Sequence, residues 1–365
     1  MKIFLVTKNL SGVVGGVERQ LGNIAIRLEE SGHQVMILSS DAHKPDVFYS
    51  LLSKFPLRHY GRFSKNPHSK NRERFYRQRA IHGITREEKP DLIIGFMLSG
   101  YLVALPSAKS LGVPILLAER NSPDVYNLTR ARKFKFLYFQ LMRFTSGITV
   151  QLNCYVKKYP TYLQKKIKVI YNEIMITPKG YEGIRSEKDI TFGFVGRFSF
   201  QKQPLQLLES FSRHIALGGK SKLVFFGKGE LEADIRKIIE QDKLERYVKI
   251  EEPKKDLDQI YNSIDVLCVP SLWEGYPNVV GEAMAYGRPI LGNINCLGLE
   301  EIITENVGIL VDFESSSVDG FEQTKQFIST IPNLPTKIEN HFRKMQNYDF
   351  RLLWDEAVND AVKQN

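Results

Sequence analysis

The chain has 365 residues, 42% hydrophobic and 25% charged, a globular composition too long for one ordinary core and suited to two domains. Its net charge of +10 is uneven: residues 1–172 hold 28 Lys and Arg against 11 Asp and Glu, leaving 23 against 30 beyond them, so the first half is expected to face something anionic. Three cysteines lack metal-ligand spacing and read as reduced thiols of a cytosolic protein, no run approaches the ~20 apolar residues of a spanning helix, and four apolar residues in a row at the start are too few for a signal peptide.

Lys2 to Thr7 is an apolar run of β type. Gly12, Gly15 and Gly16 then give a turn, and Val17, Leu21, Ile24, Ala25 and Leu28 mark one face of a helix that stops at Gly32. Val35 to Leu38 is the next strand, so the chain opens as βαβ. The glycine order is not the G-x-G-x-x-G of dinucleotide binding, and Asp41 is a loose candidate for a ribose acid, so a nicotinamide cofactor is not expected.

Residues 41 to 89 carry much charge and little strand signal, with Phe48, Leu51, Leu52 and Phe55 suggesting a short helix. Leu92 to Met97 reads as a strand, Tyr101 to Leu111 as a helix and Ile115 to Ala118 as a strand with Glu119, Arg120 and Asn121 at its carboxyl end. A surface salt bridge between Glu119 and Arg120 is the plain reading of that pair. Tyr126 to Arg143 reads as a basic, aromatic helix that must be partly core. Ile148 to Val150 and Lys168 to Ile170 read as strands, and residues 175 to 188 have linker composition.

The βα rhythm restarts at Ile190 to Gly196, with Arg197 and Lys202 in a strand-to-helix loop. Leu223 to Gly229 is the next strand and turn, and Tyr247 to Glu252 a strand leading to Pro253. Asp256-Leu257-Asp258 opens an amphipathic helix and reads as N-terminal capping rather than a metal site. Val266 to Pro270 fits a buried parallel strand. A loop bearing Ser271, Trp273, Glu274, Gly275, Tyr276 and Pro277 follows, and Asn278 is expected to cap a helix stopped by Gly287 and Pro289. Helix N–H groups at the carboxyl end of a parallel strand favour a diphosphate. Beside such a site, Glu274 and Glu282 read either as a solvated loop and a helix surface or as acceptors for ribose and sugar hydroxyls. Ile309 to Val311 is a last strand, and Tyr348 to Val362 is helical.

Two glutamates eight apart, a proline-bearing loop and a closing Gly-x-Pro in Glu274 to Ile290 resemble the retaining glycosyltransferases of the GT-B fold, in the large bacterial group with the Glu-x7-Glu motif (family 4, group 1). The resemblance implies an α/β protein of two doubly wound Rossmann-like domains facing a cleft. Residues 1–172 would form the acceptor side, 173–347 the nucleotide-sugar side, and 348–365 would pack back on the first domain. It implies transfer of a hexose or N-acetylhexosamine from a nucleotide-diphosphate sugar, UDP in preference to GDP, with retention of configuration.

In that pattern Gly15 and Gly16, within a GGVER sequence, approach the donor's diphosphate, and Arg197 and Lys202 grip it. Backbone groups at Glu252 and Pro253 meet the base. Glu274 holds the transferred sugar, with Gly275, Tyr276, Pro277, Asn278 and Val279 around it, and Glu282 holds the ribose. Glu119, Arg120 and Asn121 reach the sugar or acceptor, although many members have a histidine where Arg120 stands. The cations and helix amides would stabilise the leaving diphosphate, so no metal cofactor is expected. The expected acceptor is a lipid-linked glycan in bacterial surface-polysaccharide synthesis, at the inner face of the cytoplasmic membrane. There the basic half would meet anionic headgroups and Phe134, Phe136 or Phe139 would add apolar contact. A nucleic-acid-binding protein using the basic half is the rival of another class, although no recognised nucleic-acid module accompanies the charge. A GT-B-like epimerase is the enzymatic rival.

Overall fold

A computed structural model of the chain describes residues 1–10, 16–41, 50–61, 70–178, 190–315 and 319–364. They divide into one unit of Met1–Glu173 with Tyr348–Asn365 and another of Ile174–Asn347. The first is built on seven strands, β1 (Lys2–Val6), β2 (Gln34–Ser39), β3 (Leu57–His59), β4 (Leu92–Phe96), β5 (Ile115–Ala118), β6 (Gly147–Val150) and β7 (Ile167–Val169), in the order β3-β2-β1-β4-β5-β6-β7. The second has six, β8 (Ile190–Val195), β9 (Ser221–Phe226), β10 (Val248–Glu251), β11 (Val266–Val269), β12 (Ile290–Asn293) and β13 (Gly308–Val311), in the order β10-β9-β8-β11-β12-β13. The pairings are parallel, for example Phe4 with Met36 and Ile93, and Cys268 with Leu291 and Phe194.

Helices connect the strands, and each sheet reverses its order beside its first strand, which makes both units doubly wound. β4, β5 and β11 are buried along their whole length, which explains why they read as unbroken apolar runs rather than alternating ones. In the first unit Ile3, Leu5, Ile37 and Ile94 pack with Leu21, Ile24 and Leu28 of helix Gly16–Glu30. Trp354, Val358 and Ala361 of helix Phe350–Lys363 complete the same core.

Three local expectations change. Helix Lys70–Glu88 was not legible, because it is polar along most of its length. It is held by a few buried residues, Ile81 and Thr85, and by Glu73 with Arg77 one turn apart at 2.6 Å. The single helix expected over Tyr126 to Arg143 is instead helix Val125–Leu128, a 3-10 segment Arg130–Phe134 and helix Lys135–Met142. Thr129 breaks it by turning extended and accepting from Ala131 N. Asn278 does not cap its helix. Pro277, at φ −71° and ψ 102°, takes the capping place, and Asn278 becomes the first helical residue with its side chain buried. None of the three cysteines is in a disulfide: Cys268 and Cys296 are buried and Cys154 is half-buried.

Candidate active site

In the second unit the chain leaves β8 through Gly196, Arg197 and Phe198 and makes a 3-10 turn, Phe200–Lys202, before helix Pro204–Ala216. Gln203 enters that helix in the left-handed region, at φ 51°. The loop after β9 backs this segment closely. Phe198 N donates to Lys228 O at 3.0 Å, and a Cβ on Gly229 would lie 2.3 Å from the Phe198 carbonyl oxygen, so only glycine fits there.

Two hydrogen bonds tie the 3-10 turn to the loop after β11. Gln201 Nε2 donates to Trp273 O at 2.8 Å, and Leu272 N donates to Gln201 O at 3.0 Å. Their neighbours in sequence, Lys202 and Glu274, meet as a result: Lys202 Nζ is 2.6 Å from Glu274 Oε1, and Ser271 Oγ donates to the same oxygen at 2.6 Å. Glu274 is only 6% exposed. A carboxylate so far from water requires a cation and hydrogen-bond donors, which rules out the solvated-loop reading. Arg197 extends from the same loop as Lys202 and is exposed. Gly275, Tyr276, Pro277 and Asn278 are buried along the loop and Val279 is half-buried.

Glu282 lies in the second turn of helix Asn278–Ala285 and is 4% exposed, so it is not a helix-surface residue. Tyr261 OH donates to its Oε2 at 2.7 Å. Glu252, exposed, and Pro253, half-buried, follow β10. The Asp256-Leu257-Asp258 tripeptide is a helix cap: Asp256 Oδ1 accepts from Asp258 N at 2.9 Å, and Asp258 accepts from Tyr286 OH. Among the described residues no group of three or more His, Cys, Asp or Glu side chains is arranged to hold a metal ion.

The remaining expected residues belong to the first unit. Gly15 lies outside the described residues, and Gly16 is the first residue of helix Gly16–Glu30. The surface salt bridge expected of Glu119 and Arg120 does not exist, because both are buried. Glu119 accepts from Tyr126 OH at 2.6 Å and from Arg120 N at 3.2 Å. Burial raises its pKa above the usual carboxylate range despite those bonds. The Arg120 guanidinium donates to Thr149 Oγ1 at 2.7 Å and Asn172 Oδ1 at 3.3 Å and lies 5.2 Å from the Trp354 ring centroid. Burial brings its pKa down to about 9. This arginine therefore joins β6 and the chain leaving β7 to the C-terminal helix. Asn121 is half-buried, its Oδ1 accepting from Ser122 N at 3.0 Å. Phe134 (53%) and Phe136 (78%) are exposed, whereas Phe139 is buried against Tyr126 and Tyr159.

Gln201, Ser271 and Tyr261 were not singled out from the sequence as site residues. Tyr261 carried a signal, since a tyrosine on the apolar face of a short helix brings a hydroxyl that needs a partner once buried. Gln201 carried none, because its partners lie in a different loop, and Ser271 carried none, because an aperiodic loop does not show that its hydroxyl turns to Glu274 three residues on.

The family model of the group 1 glycosyl transferases matches residues 182–345, and that of glycosyltransferase family 4 matches residues 14–174. Over 317 residues the chain is 24% identical to a Campylobacter jejuni protein named GalNAc-alpha-(1->4)-GalNAc-alpha-(1->3)-diNAcBac-PP-undecaprenol alpha-1,4-N-acetyl-D-galactosaminyltransferase, covering 85% of this chain and 84% of that one. It is 32% identical over 163 residues to an uncharacterized 41.2 kDa protein in the cps region of Klebsiella pneumoniae. That match covers less than half of either chain, 42% of this one and 44% of the other. The solved structure of Anabaena Alr3699/HepE in complex with UDP-glucose superposes with a TM-score of 0.76 at 17% identity over 98% of both chains, a likeness of fold. Between them the two family models run from residue 14 to residue 345, over two doubly wound parallel sheets, and the chain belongs to the group 1, family 4 glycosyltransferases of the GT-B fold.

Proposed function

We propose that this glycosyltransferase moves a hexosyl or N-acetylhexosaminyl group from a UDP-linked donor to a lipid-linked glycan, with retention of anomeric configuration, in the synthesis of a bacterial surface polysaccharide. The observation that carries the reading is the pairing of buried Glu274 with half-buried Lys202 between the loops that follow β8 and β11. Negative charge grows on the diphosphate as the bond from the anomeric carbon to phosphate oxygen breaks, and Arg197 and Lys202 stabilise it there without a metal ion. A glutamate is tolerated beside a diphosphate because Lys202 neutralises it before the donor arrives. Lys202, with three N–H donors, stays on Glu274 while it reaches the phosphate, and Glu274 also accepts from a hydroxyl of the transferred sugar. Glu282 accepts from the ribose hydroxyls. The acceptor oxygen bonds the anomeric carbon, and its proton passes to the departing phosphate oxygen.

The undecaprenol-linked substrate in the Campylobacter relative's name, and the UDP-glucose complex of the Anabaena structure, support the acceptor and donor classes. No described helix is long and apolar enough to cross a membrane, and in this reading a lipid-linked acceptor is met at the cytoplasmic membrane surface. Arg132, Lys133, Phe134, Phe136 and Leu137 are exposed together in the basic first unit and form the contact. The test is release of UDP from a panel of UDP-sugars, with and without an undecaprenyl-diphosphate-linked acceptor, and the product's anomeric configuration by NMR. Acceptor-dependent UDP release with retention is expected. Isomerised donor without UDP release, or an inverted product, would overturn the reading.

A further inference from the structure

Helix Leu257–Tyr261 and helix Asn278–Ala285 are joined by two phenol-to-carboxylate hydrogen bonds that run in opposite directions. Tyr261, the last residue of the first helix and fully buried, donates to Glu282 Oε2 in the second at 2.7 Å. Tyr286, which closes the second helix, donates to Asp258 Oδ1 in the first. The two rings pack with centroids 5.2 Å apart and planes tilted by 30°. Each helix thus supplies one phenol and one carboxylate to a brace that fixes the pair in register.

Packing alone does not account for the Tyr261 hydroxyl. Phenylalanine would fill the same apolar space, and a buried hydroxyl is costly unless it is paired. Here the pairing is to the one acidic side chain of helix Asn278–Ala285, with the Val279 carbonyl oxygen a more distant second acceptor at 3.3 Å. A glutamate has three side-chain torsions, and a donor at 2.7 Å on one carboxylate oxygen sets the plane in which the group presents itself. Orientation settled before the ligand arrives does not have to be settled at its expense.

We infer that Tyr261 is a positioning residue for nucleotide recognition: its hydroxyl holds Glu282 in the orientation from which the carboxylate accepts hydrogen bonds from the donor's ribose hydroxyls. The inference rests on the ribose reading of Glu282. Tyr261 acts through Glu282 and does not touch the nucleotide, while Tyr286 and Asp258 keep the two helices aligned.

The test compares calorimetric affinities for UDP and 2′,3′-dideoxy-UDP in the wild type, Tyr261→Phe and Glu282→Ala, with melting temperatures as a check on folding. The wild type should prefer UDP by about tenfold or more, the size of discrimination a site gains from hydroxyls it is built to bind. Glu282→Ala should bring that ratio close to one, and Tyr261→Phe should reduce it about threefold or more. A merely structural loosening by Tyr261→Phe would weaken both ligands alike and leave the ratio unchanged, and that result overturns the inference while the ribose reading stands. No UDP binding in the wild type, no preference there, or a ratio unchanged in Glu282→Ala overturns the ribose reading and the inference with it.

Discussion

Lys202 Nζ sits 2.6 Å from Glu274 Oε1 across 72 residues of chain, in a place where the glutamate is almost wholly buried. The pair joins the group expected to hold the leaving phosphate to the group expected to hold the sugar. Glu274→Gln keeps the size of the side chain and a carbonyl for Ser271, so folding should survive. Turnover should fall about 100-fold or more, the scale of losing an electrostatic contact made at the reacting centre. Glu274→Ala should in addition lower stability by about 1–3 kcal/mol, because the half-buried Lys202 loses its partner. Steady-state kinetics with urea unfolding separate the two effects, and near-wild-type turnover of Glu274→Gln would remove Glu274 from the chemistry.

Arg197 and Lys202 differ in exposure, and their variants should differ accordingly. Each change to alanine should weaken UDP binding by about 1.5–3 kcal/mol, the value of a charged hydrogen bond. Arg197→Ala should leave the melting temperature unchanged because the side chain is exposed, whereas Lys202→Ala should lower it by uncovering Glu274. Calorimetry and thermal melts on both variants check the contrast. Equal UDP affinity in all three proteins would end the assignment.

Transfer should survive EDTA, since two cations and helix amides can supply the charge stabilisation that a divalent ion would otherwise provide. Initial rates before and after chelation, with manganese and magnesium added back, test this. Loss of activity restored by either metal would overturn it.

Glu119 sets a pH dependence opposite to that of an ordinary paired carboxylate. Burial raises its native pKa, so between the ordinary glutamate value and that raised value the native state binds more protons than the unfolded chain. Its contribution to stability therefore falls as pH rises through that window. Glu119→Gln can keep both local bonds, accepting from Arg120 N and donating to Tyr126, but does not titrate. The melting temperature of the variant minus that of the wild type should increase from pH 4.5 to pH 8. A flat difference would mean the carboxyl is not held protonated by burial.

Sedimentation with vesicles should require anionic lipid and weaken at high salt, since the attraction acts within a Debye length of about 8 Å at physiological ionic strength. A double change of Phe134 and Phe136 to serine should reduce binding severalfold without lowering the melting temperature, because both rings are exposed. Equal partitioning with neutral and anionic vesicles at both salt levels, or a salt-sensitive complex with an oligonucleotide in place of vesicles, would assign the basic half another partner.

The sequence alone determined most of the strands and the helices between them, whereas their doubly wound arrangement was what the family resemblance implied, and β3, three residues with none fully buried, gave no signal. Strands such as β4, β5 and β11 are buried on both faces, so each must be an unbroken apolar run, and the helices between them must show one apolar face; both patterns are local. Helix Lys70–Glu88 escaped for the same reason inverted, since it buries too little to imprint a period. The pairing of Glu274 with Glu282 in one segment was also legible, through a motif whose spacing is short. Only the tertiary structure decided what each charge meets. Burial of Glu119 and Arg120 depends on β6 and on Trp354, more than two hundred residues away, and the surface bridge expected from their adjacency gave way to separate partners. The meeting of Lys202 with Glu274, and of Tyr261 with Glu282, depends on loops and helices that the sheet brings side by side. Hydrogen bonds of that range leave no periodic trace, because they constrain one atom at each end and nothing in between.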